Sequence, residues 1–247
     1  EFHLETYIFE DDAIGRAVAG ALCRAAQRGV AVRVLADGFG AADFVATLRP
    51  QLEAAGVQVL VYRPEIARFR LRRHRLRRLH RKLAVADGRS AFVGGINIVD
   101  DIDAAHPAPP RFDYAVRVEG PLLVPIHATV RRLWTLVAWA GFRRRLRLPA
   151  TSPVTAEPRG SMRAAFVIRD TLRHRRDIEE AYLEAIGKAQ TEILLANAYF
   201  LPAAMKIDGA LDPSELHRGI YRAVVYSAKL DLQGEFARPD FSNQRIE

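Results

Sequence analysis

The residues best suited to chemistry in this 247-residue chain lie in one short stretch. They are His80, Lys82, Asp87, Gly94, Gly95 and Asn97. Side chains alternate between the two faces of a strand, so we expect His80 and Lys82 on one side and Arg81 on the other. Histidine is neutral or protonated near neutral pH and lysine neutralises phosphate oxygens, so this pair suits attack on a phosphodiester. The spacing therefore predicts a phosphodiester site at His80.

The rest of the stretch would complete such a site. Asp87 stands before Gly88 at a predicted hairpin turn and supplies a carboxylate. A Gly-Gly pair lets the backbone come close to a ligand, and Asn97 can then donate where negative charge builds up. Each feature alone has a plainer interpretation, because an isolated His-x-Lys is more often a surface pair on an edge strand and Gly-Gly marks only a turn.

Hydrophobic periodicity indicates the elements that hold these residues. Strand and helix alternate with short turns over the first sixty residues, which is typical of parallel βαβ units and predicts an α/β layered sheet. Pro50 is expected to kink or split the second helix. Strands are predicted at 3–9, 30–35, 57–62, 83–86, 91–93, 114–119 and 192–200, and helices within 12–29, 42–55, 121–142 and 177–190. A break of the third helix at Pro125 and a surface loop at 100–111 are also expected.

Composition excludes several classes of protein. The chain has 37 Lys and Arg against 29 Asp and Glu, a formal charge of +8. The composition is otherwise that of a globular protein, which excludes a mainly disordered chain. The single Cys23 excludes an intrachain disulfide framework. No apolar stretch approaches the roughly 20 residues that span a bilayer. Histidines outside the motif lack ligand-like spacing, so neither a metal nor a cofactor is expected. The sequence starts without Met in strand-like residues, which predicts that the natural N-terminus is missing.

A basic segment leads directly into the motif. Residues 68–82 hold nine cationic side chains in fifteen positions, interleaved with leucine and phenylalanine. We interpret this segment as a surface for anions, with phospholipid headgroups ahead of nucleic acid and a solvated face as the alternative. The helix with both tryptophans is either a peripheral membrane element or a core helix with a basic end. The candidate membrane- and anion-binding residues are Arg72, Arg73, Arg75, Arg77, Arg78, Trp134 and Trp139.

The pattern His-x-Lys-x4-Asp-x6-Gly-Gly-x-Asn, from His80 to Asn97, resembles the signature of the phospholipase D superfamily. Within that superfamily, the segments 5–12, 36–40, 92–98 and 116–121 resemble the bacterial cardiolipin synthases, of the B type. The resemblance extends from about residue 2 to Pro202. It implies a phospholipase D-like layered sandwich, with a mixed, largely parallel sheet flanked by helices.

The resemblance also implies a mechanism. It is a metal-independent, two-step transfer through a phosphohistidine, in which a phosphatidyl group moves from one phospholipid to the headgroup hydroxyl of phosphatidylglycerol. His80 would be the nucleophile or the acid/base, Lys82 and Asn97 would bind phosphate, and Asp87 would support the histidine. Further supporting candidates are Glu5, Asp113 and Asn197. The expected substrate is an anionic phospholipid, nucleic acid is not expected, and the expected location is cytoplasmic or peripheral at the bacterial inner membrane.

Family members combine two such motifs, and this chain has one. Residues 4–9 and 196–201 match in pattern, which predicts a first repeat at 1–148, a linker at 149–165 and the start of a second repeat at 166–202. The tail, 203–247, has no assigned role and is a candidate for disorder. The chain would then lack its second half, with its activity left open. The alternatives are a single-motif phosphodiesterase or nuclease that pairs two copies as a homodimer, and a non-catalytic fragment that binds anionic membranes.

Overall fold

The structure is a computed structural model that describes residues 1–64, 78–100, 113–141, 153–169 and 174–193. The chain divides into two compact units, Glu1–Gly160 and Ser161–Glu247. In the second unit the described part contains one helix, Asp177–Lys188, which agrees with the prediction for 177–190. The tail at 203–247, and most of both the predicted loop at 100–111 and the predicted strand at 192–200, lie outside the described residues. The predicted domain boundaries stay predictions.

The first unit is built on a six-stranded mixed sheet. Its strands are β1 (Phe2–Thr6), β2 (Val32–Asp37), β3 (Gln58–Tyr62), β4 (Lys82–Ala86), β5 (Ser90–Gly94) and β6 (Ala115–Val118), in the order β3-β2-β1-β4-β5-β6. The β1–β2 and β2–β3 pairs are parallel, whereas β1–β4, β4–β5 and β5–β6 are antiparallel. The α/β class and mixed sheet are confirmed, but the expectation of a largely parallel sheet is wrong, since two of the five strand pairs in the described sheet are parallel and three are antiparallel. Parallel pairing ends at β1, since β4 runs antiparallel to it and then pairs with β5 through the hairpin.

Helices cover both faces of the sheet. They are α1 (Ala13–Gln27), α2 (Ala42–Ala46), α3 (Arg49–Ala54) and α4 (Leu123–Ala140), all in the first unit. The helix of the second unit, Asp177–Lys188, is α5. On one face, α1, α2 and α3 pack with alternate residues of β2, including Val32, Val34 and Ala36. On the other face, Trp134 of α4 packs with Leu35. β2 is buried throughout because it has a helical layer on each side.

The local predictions for this unit are largely confirmed. Asp12 caps α1 by accepting from the Gly15 N–H at 2.7 Å. Pro50 splits the predicted second helix, since it stands in the first turn of α3, where a missing N–H costs nothing. Pro125 likewise stands in the first turn of α4, so that helix starts at Leu123 and continues unbroken. The hairpin turn is at Asp87 and Gly88, both with positive φ.

Candidate active site

The predicted site residues meet where the parallel strands end. β1 ends at Thr6 and β2 at Asp37. Because β4 runs antiparallel to β1, its first residue, Lys82, lies at that same edge of the sheet. The segment that enters β4 brings His80 there as well. Ligands of open α/β sheets bind at the carboxyl ends of the strands, so the fold places the motif at the expected edge.

His80 and Lys82 lie on the same side, as the alternation predicts. Lys82 Nζ is 3.1 Å from Nε2 and 3.3 Å from Nδ1 of the His80 ring. The Tyr7 ring centroid is 4.8 Å from that of His80, and Lys82 Nζ is 5.2 Å from the Tyr7 centroid. Arg81 instead reaches the Glu5 carboxylate, at 3.5 Å. We call Tyr7, His80 and Lys82 the exposed cluster, because the His80 side chain is open to solvent.

The electrostatics of the exposed cluster favour a neutral histidine. Partial burial, and then the charge of Lys82, lower the pKa of His80, while the Asp37 and Asp113 carboxylates act in the opposite direction. Burial also lowers the pKa of Lys82, against the attraction of Asp113. The neutral imidazole is the form that attacks phosphorus or accepts a proton, and Lys82 can neutralise an incoming phosphate oxygen.

Asp37 is a site residue that was not among the predicted candidates, although it lies in the segment 36–40 that resembles the bacterial cardiolipin synthases. Its side chain is buried, and its Oδ1 accepts from the N–H groups of Phe39 at 2.9 Å and Gly40 at 3.1 Å. Its Oδ2 accepts from the N–H of Leu79 at 2.7 Å. Asp37 thus ties the loop after β2 to the residue before His80. A polar residue ending a buried parallel strand is the sequence signal that could have identified it.

Asn97 joins the loop after β5 to the end of β1. Its Oδ1 accepts from the Ile8 N–H at 3.3 Å, and the Ile98 N–H donates to the Ile8 carbonyl at 3.1 Å. Because this contact uses the amide oxygen, the N–H groups of the side chain are the ones suited to a phosphate. The proposed role of Asn97 as a donor is compatible with this position.

Gly94 and Gly95 lie so close to other residues of the protein that neither position has space for a side chain. A Cβ on Gly95 would lie 2.0 Å from Asp113 Oδ1, and one on Gly94 would lie 2.2 Å from the Tyr114 carbonyl oxygen. The close approach predicted from Gly94-Gly95 is therefore made to β6 and to Asp113. It brings the Asp113 carboxylate near enough to act on both His80 and Lys82. Asp113 thus fits the supporting role that the resemblance implied.

Asp87 does not reach the histidine. It follows β4 at the end opposite Lys82, about 16 Å away at the rise of a strand, and its side chain is exposed. The expectation that Asp87 supports His80 is therefore wrong for this geometry, and Asp113 and Asp37 provide the nearby carboxylates. Asp87 serves the hairpin turn, where its φ is +51°.

Glu5 also lies apart from the imidazole. It is fully buried in β1, and burial raises its pKa to about 7 against the attraction of Arg81. Among the described residues its Oε1 has no hydrogen-bond partner, and its Oε2 faces Arg81 at 3.5 Å. Glu5 therefore contacts the motif through Arg81 instead of His80. Asn197, its counterpart in the predicted repeat, lies outside the described residues.

The predicted membrane-contact residues separate into different environments. Trp134 is 2% exposed in the core, so its assignment to a membrane surface is wrong, whereas Trp139 is 71% exposed. Arg78 lies over the Phe39 ring at 4.7 Å and near Asp37 Oδ1 at 4.0 Å. The other four candidate arginines, Arg72, Arg73, Arg75 and Arg77, lie outside the described residues. No helix in the described parts of the chain is long and apolar enough to cross a membrane.

A second histidine group, absent from the sequence predictions, lies where α4 packs against β1. Glu1, His3 and His127 place ligand-type atoms within 4.8 Å of one another, a spacing that a metal ion could use. The Arg33 guanidinium already supplies a cation there, 2.9 Å from His3 Nε2 and 3.1 Å from Glu1 Oε2. His127 Nε2 is 2.9 Å from Glu1 Oε1. We call Glu1, His3, Arg33 and His127 the core cluster.

Burial controls protonation in the core cluster. Burial, and then the charge of Arg33, lower the pKa of His3 to about 4. A neutral His3 can accept from Arg33 through Nε2, which matches the short contact. Burial raises the pKa of Glu1, but the hydrogen bond with His127 and the contact with Arg33 outweigh it and lower that pKa overall. Arg33 and His127 lie far in sequence from Glu1 and His3, so spacing gave no signal for this cluster.

Comparisons with known proteins agree with the motif. Residues 1–101 match the family model described as "Cardiolipin synthase, PLD-like domain". Residues 168–247 match a different model, described as "Inner membrane protein CreD". Among solved structures, a polyphosphate kinase from Porphyromonas gingivalis is 16% identical at a TM-score of 0.36 over 56% of this chain and 21% of that one, too low to show a shared fold.

Curated relatives cover almost the whole chain. Cardiolipin synthase B of Shigella flexneri is 39% identical over 98% of this chain and 55% of the relative. That of Escherichia coli K12 is 38% identical over the same shares. Cardiolipin synthase 1 of Bacillus anthracis is 28% identical over 81% of this chain and 40% of the relative. The chain therefore spans about half the length of the curated relatives it matches.

Proposed function

We propose that this chain, whose residues 1–101 match the family model "Cardiolipin synthase, PLD-like domain", carries the first catalytic motif of a phosphatidyltransferase. The substrates would be phosphatidylglycerol or a related anionic phospholipid, and the product would be cardiolipin. The step at this motif would be displacement at phosphorus, with His80 as the nucleophile or as the acid/base for the exchanging alcohols.

The observation that carries this proposal is the contact between Lys82 and the His80 ring. Burial and then the Lys82 ammonium, 3.1 Å from the imidazole, lower the pKa of His80, and the ammonium is placed to contact a phosphate oxygen when the imidazole attacks phosphorus. The charge of a phosphate bound there would then be neutralised by Lys82. Asp113 and Asp37 are placed to stabilise the positive charge that a reacting imidazole gains.

We propose that activity needs a second motif. The chain covers about half of the cardiolipin synthases B that it resembles, and it contains one His-x-Lys-x4-Asp motif. A histidine that has attacked phosphorus cannot at the same moment protonate the leaving alcohol, so a second acid is required. We further propose that the protein acts at the surface of the inner membrane, where its phospholipid substrate would lie.

The test is a transfer assay on vesicles of labelled phosphatidylglycerol. The chain is assayed alone and mixed with the carboxyl-terminal half of the Escherichia coli cardiolipin synthase B, which would supply the second motif. We expect labelled cardiolipin from the mixture and at least about a hundredfold less from the chain alone, because general acid catalysis contributes at least that factor.

The matched variants are His80→Ala and His174→Ala. His174 is a part-exposed histidine beside Asp177, away from the motif in the chain. His80→Ala should abolish transfer, while His174→Ala should leave it unchanged. Cardiolipin formation that survives His80→Ala, or no transfer by any mixture in which both halves are folded, would contradict the proposed function.

A further inference from the structure

An apolar groove opens beside the exposed cluster. Its volume is about 220 Å³, and Lys82 forms part of its wall. Around it lie mainly apolar residues of β1, β4, β5, the following loop and β6. The groove-lining residues with a role below are Leu4, Ala84, Phe92, Gly94 and Ile96.

The pairing register explains why the groove and Lys82 share a face. Leu4 pairs with Ala84, Ala84 with Phe92, and Lys82 with Gly94. Side chains two residues apart on a strand point to the same face, so Lys82 and Ala84 lie side by side on β4. The groove thus runs away from the site across the β4–β5 half of the sheet.

This half of the face is open in the described structure. Phe92 is 45% exposed and Ile96 is 53% exposed. On the same face, α1 and α3 pack against β2 and β3. The opposite face is the one on which α4 packs, through Trp134 and His127. Exposed apolar surface that adjoins a charged site is typical of a ligand with both a polar and an apolar part.

We propose that this groove binds the start of an acyl chain of the phospholipid whose phosphate lies at His80 and Lys82. The inference rests on the proposed function and adds a location for the apolar part of the substrate. Lys82 provides the charge complementarity, since the same residue meets the phosphate and borders the groove. The volume is below the roughly 300–1,000 Å³ of pockets that enclose drug-sized ligands, so the groove holds only a few methylene groups.

The test compares two water-soluble probes by calorimetry. One is glycerophosphoglycerol, the headgroup phosphodiester without chains, and the other is dihexanoyl phosphatidylglycerol below its micelle concentration. We expect the short-chain lipid to bind about tenfold more tightly, as burial of about two methylene groups would give. Lys82→Met should weaken both probes, because both carry the phosphodiester.

Ala84→Leu fills the groove, and Ala46→Leu is its control on the exposed surface of α2. Ala84→Leu should remove the tenfold preference and leave glycerophosphoglycerol binding within about twofold, whereas Ala46→Leu should change neither. Should Ala84→Leu fail to fold, Ile96→Ser serves in its place. Its control is Ile14→Ser, since both isoleucines are about half exposed.

The outcomes separate the groove from the proposed function. If glycerophosphoglycerol binds through Lys82 but the chains add nothing, or if Ala84→Leu keeps the preference, the groove proposal fails and the function stands. If Ala84→Leu spares lipid binding but blocks association with the carboxyl-terminal half of the relative, the occupant is polypeptide and the proposal is overturned. If neither probe binds, the proposed function fails, and the groove proposal fails with it.

Discussion

The core cluster and the exposed cluster use similar residues for different ends. Each sets a histidine near 3 Å from a cation, Arg33 beside His3 and Lys82 beside His80. His3 is 1% exposed and its partners are protein groups, whereas His80 is open to solvent. The same chemical pair stabilises the fold when it is buried and is available to a ligand when it is exposed. Burial therefore distinguishes the two histidine sites better than residue type does.

Replacing the cation of each cluster should give the largest difference in effect between the core cluster and the exposed cluster. Arg33→Met leaves the Glu1 carboxylate without its buried ion pair, so we expect a loss of about 3–5 kcal/mol in the free energy of unfolding. Lys82→Met should cost less than about 1 kcal/mol while reducing phosphodiester binding at least about tenfold. Urea unfolding and calorimetric titration measure the two effects. Equal destabilisation by both substitutions would remove the distinction between the clusters.

The pH dependence of stability should also come from the core cluster. The pKa of His3 is about 4 in the folded protein and about 6.5 when unfolded, so the unfolded state binds the proton more readily. The stability due to neutral His3 is complete above pH 6.5 and is lost as pH falls toward 4, by about 3 kcal/mol. Glu5, with its pKa raised to about 7, acts in the opposite direction, losing its contribution as pH rises from 4.5.

His3→Gln isolates the histidine contribution from that of Glu5. The unfolding free energy of the natural chain minus that of the variant should fall between pH 6.5 and 4, as followed by urea unfolding at a series of pH values. A difference that is constant over this range would show that His3 is protonated in the folded state, and that Arg33 is not its partner.

The smallest expected effect concerns which carboxylate raises the pKa of His80. Asp113→Asn removes a charge that raises the pKa of His80, so that pKa should fall further. Asp87→Asn is the control, since Asp87 lies at the far end of β4 and is absent from the groups acting on His80. Histidine ring signals in NMR titrations report both values. A larger shift from Asp87→Asn would restore Asp87 to the supporting role.

Local sequence determined much of this architecture. The β4–β5 hairpin follows from Asp87-Gly88, and the shared side of His80 and Lys82 follows from alternation along a strand. The length of β4 separates Asp87 from His80, because the two residues lie beyond opposite ends of that strand. Helical spacing separates Trp134 from Trp139 too, because five residues at 100° each place them about 140° apart. Both of these corrections could have been made from the sequence.

Other features depend on contacts distant in sequence. The Asp37 carboxylate reaches the Leu79 N–H across 42 positions, and His127 reaches Glu1 across 126. The core cluster forms from the pairing of β1 with β2, which brings Arg33 to His3, and from the packing of α4 against β1, so no sequence motif indicates it. The groove depends on which half of a sheet face the helices leave open, and that too is a property of the assembled fold.

The central claim is that His80 and Lys82 form the phosphodiester site while His3 does not take part. The most direct measurement is an NMR titration of the histidine rings with glycerophosphoglycerol across pH. Bound phosphodiester should shift the His80 signals and raise the His80 pKa, because a nearby anion stabilises the imidazolium, and His3 should be unaffected. Unchanged His80 signals at saturating ligand, or an equal response from His3, would contradict the account.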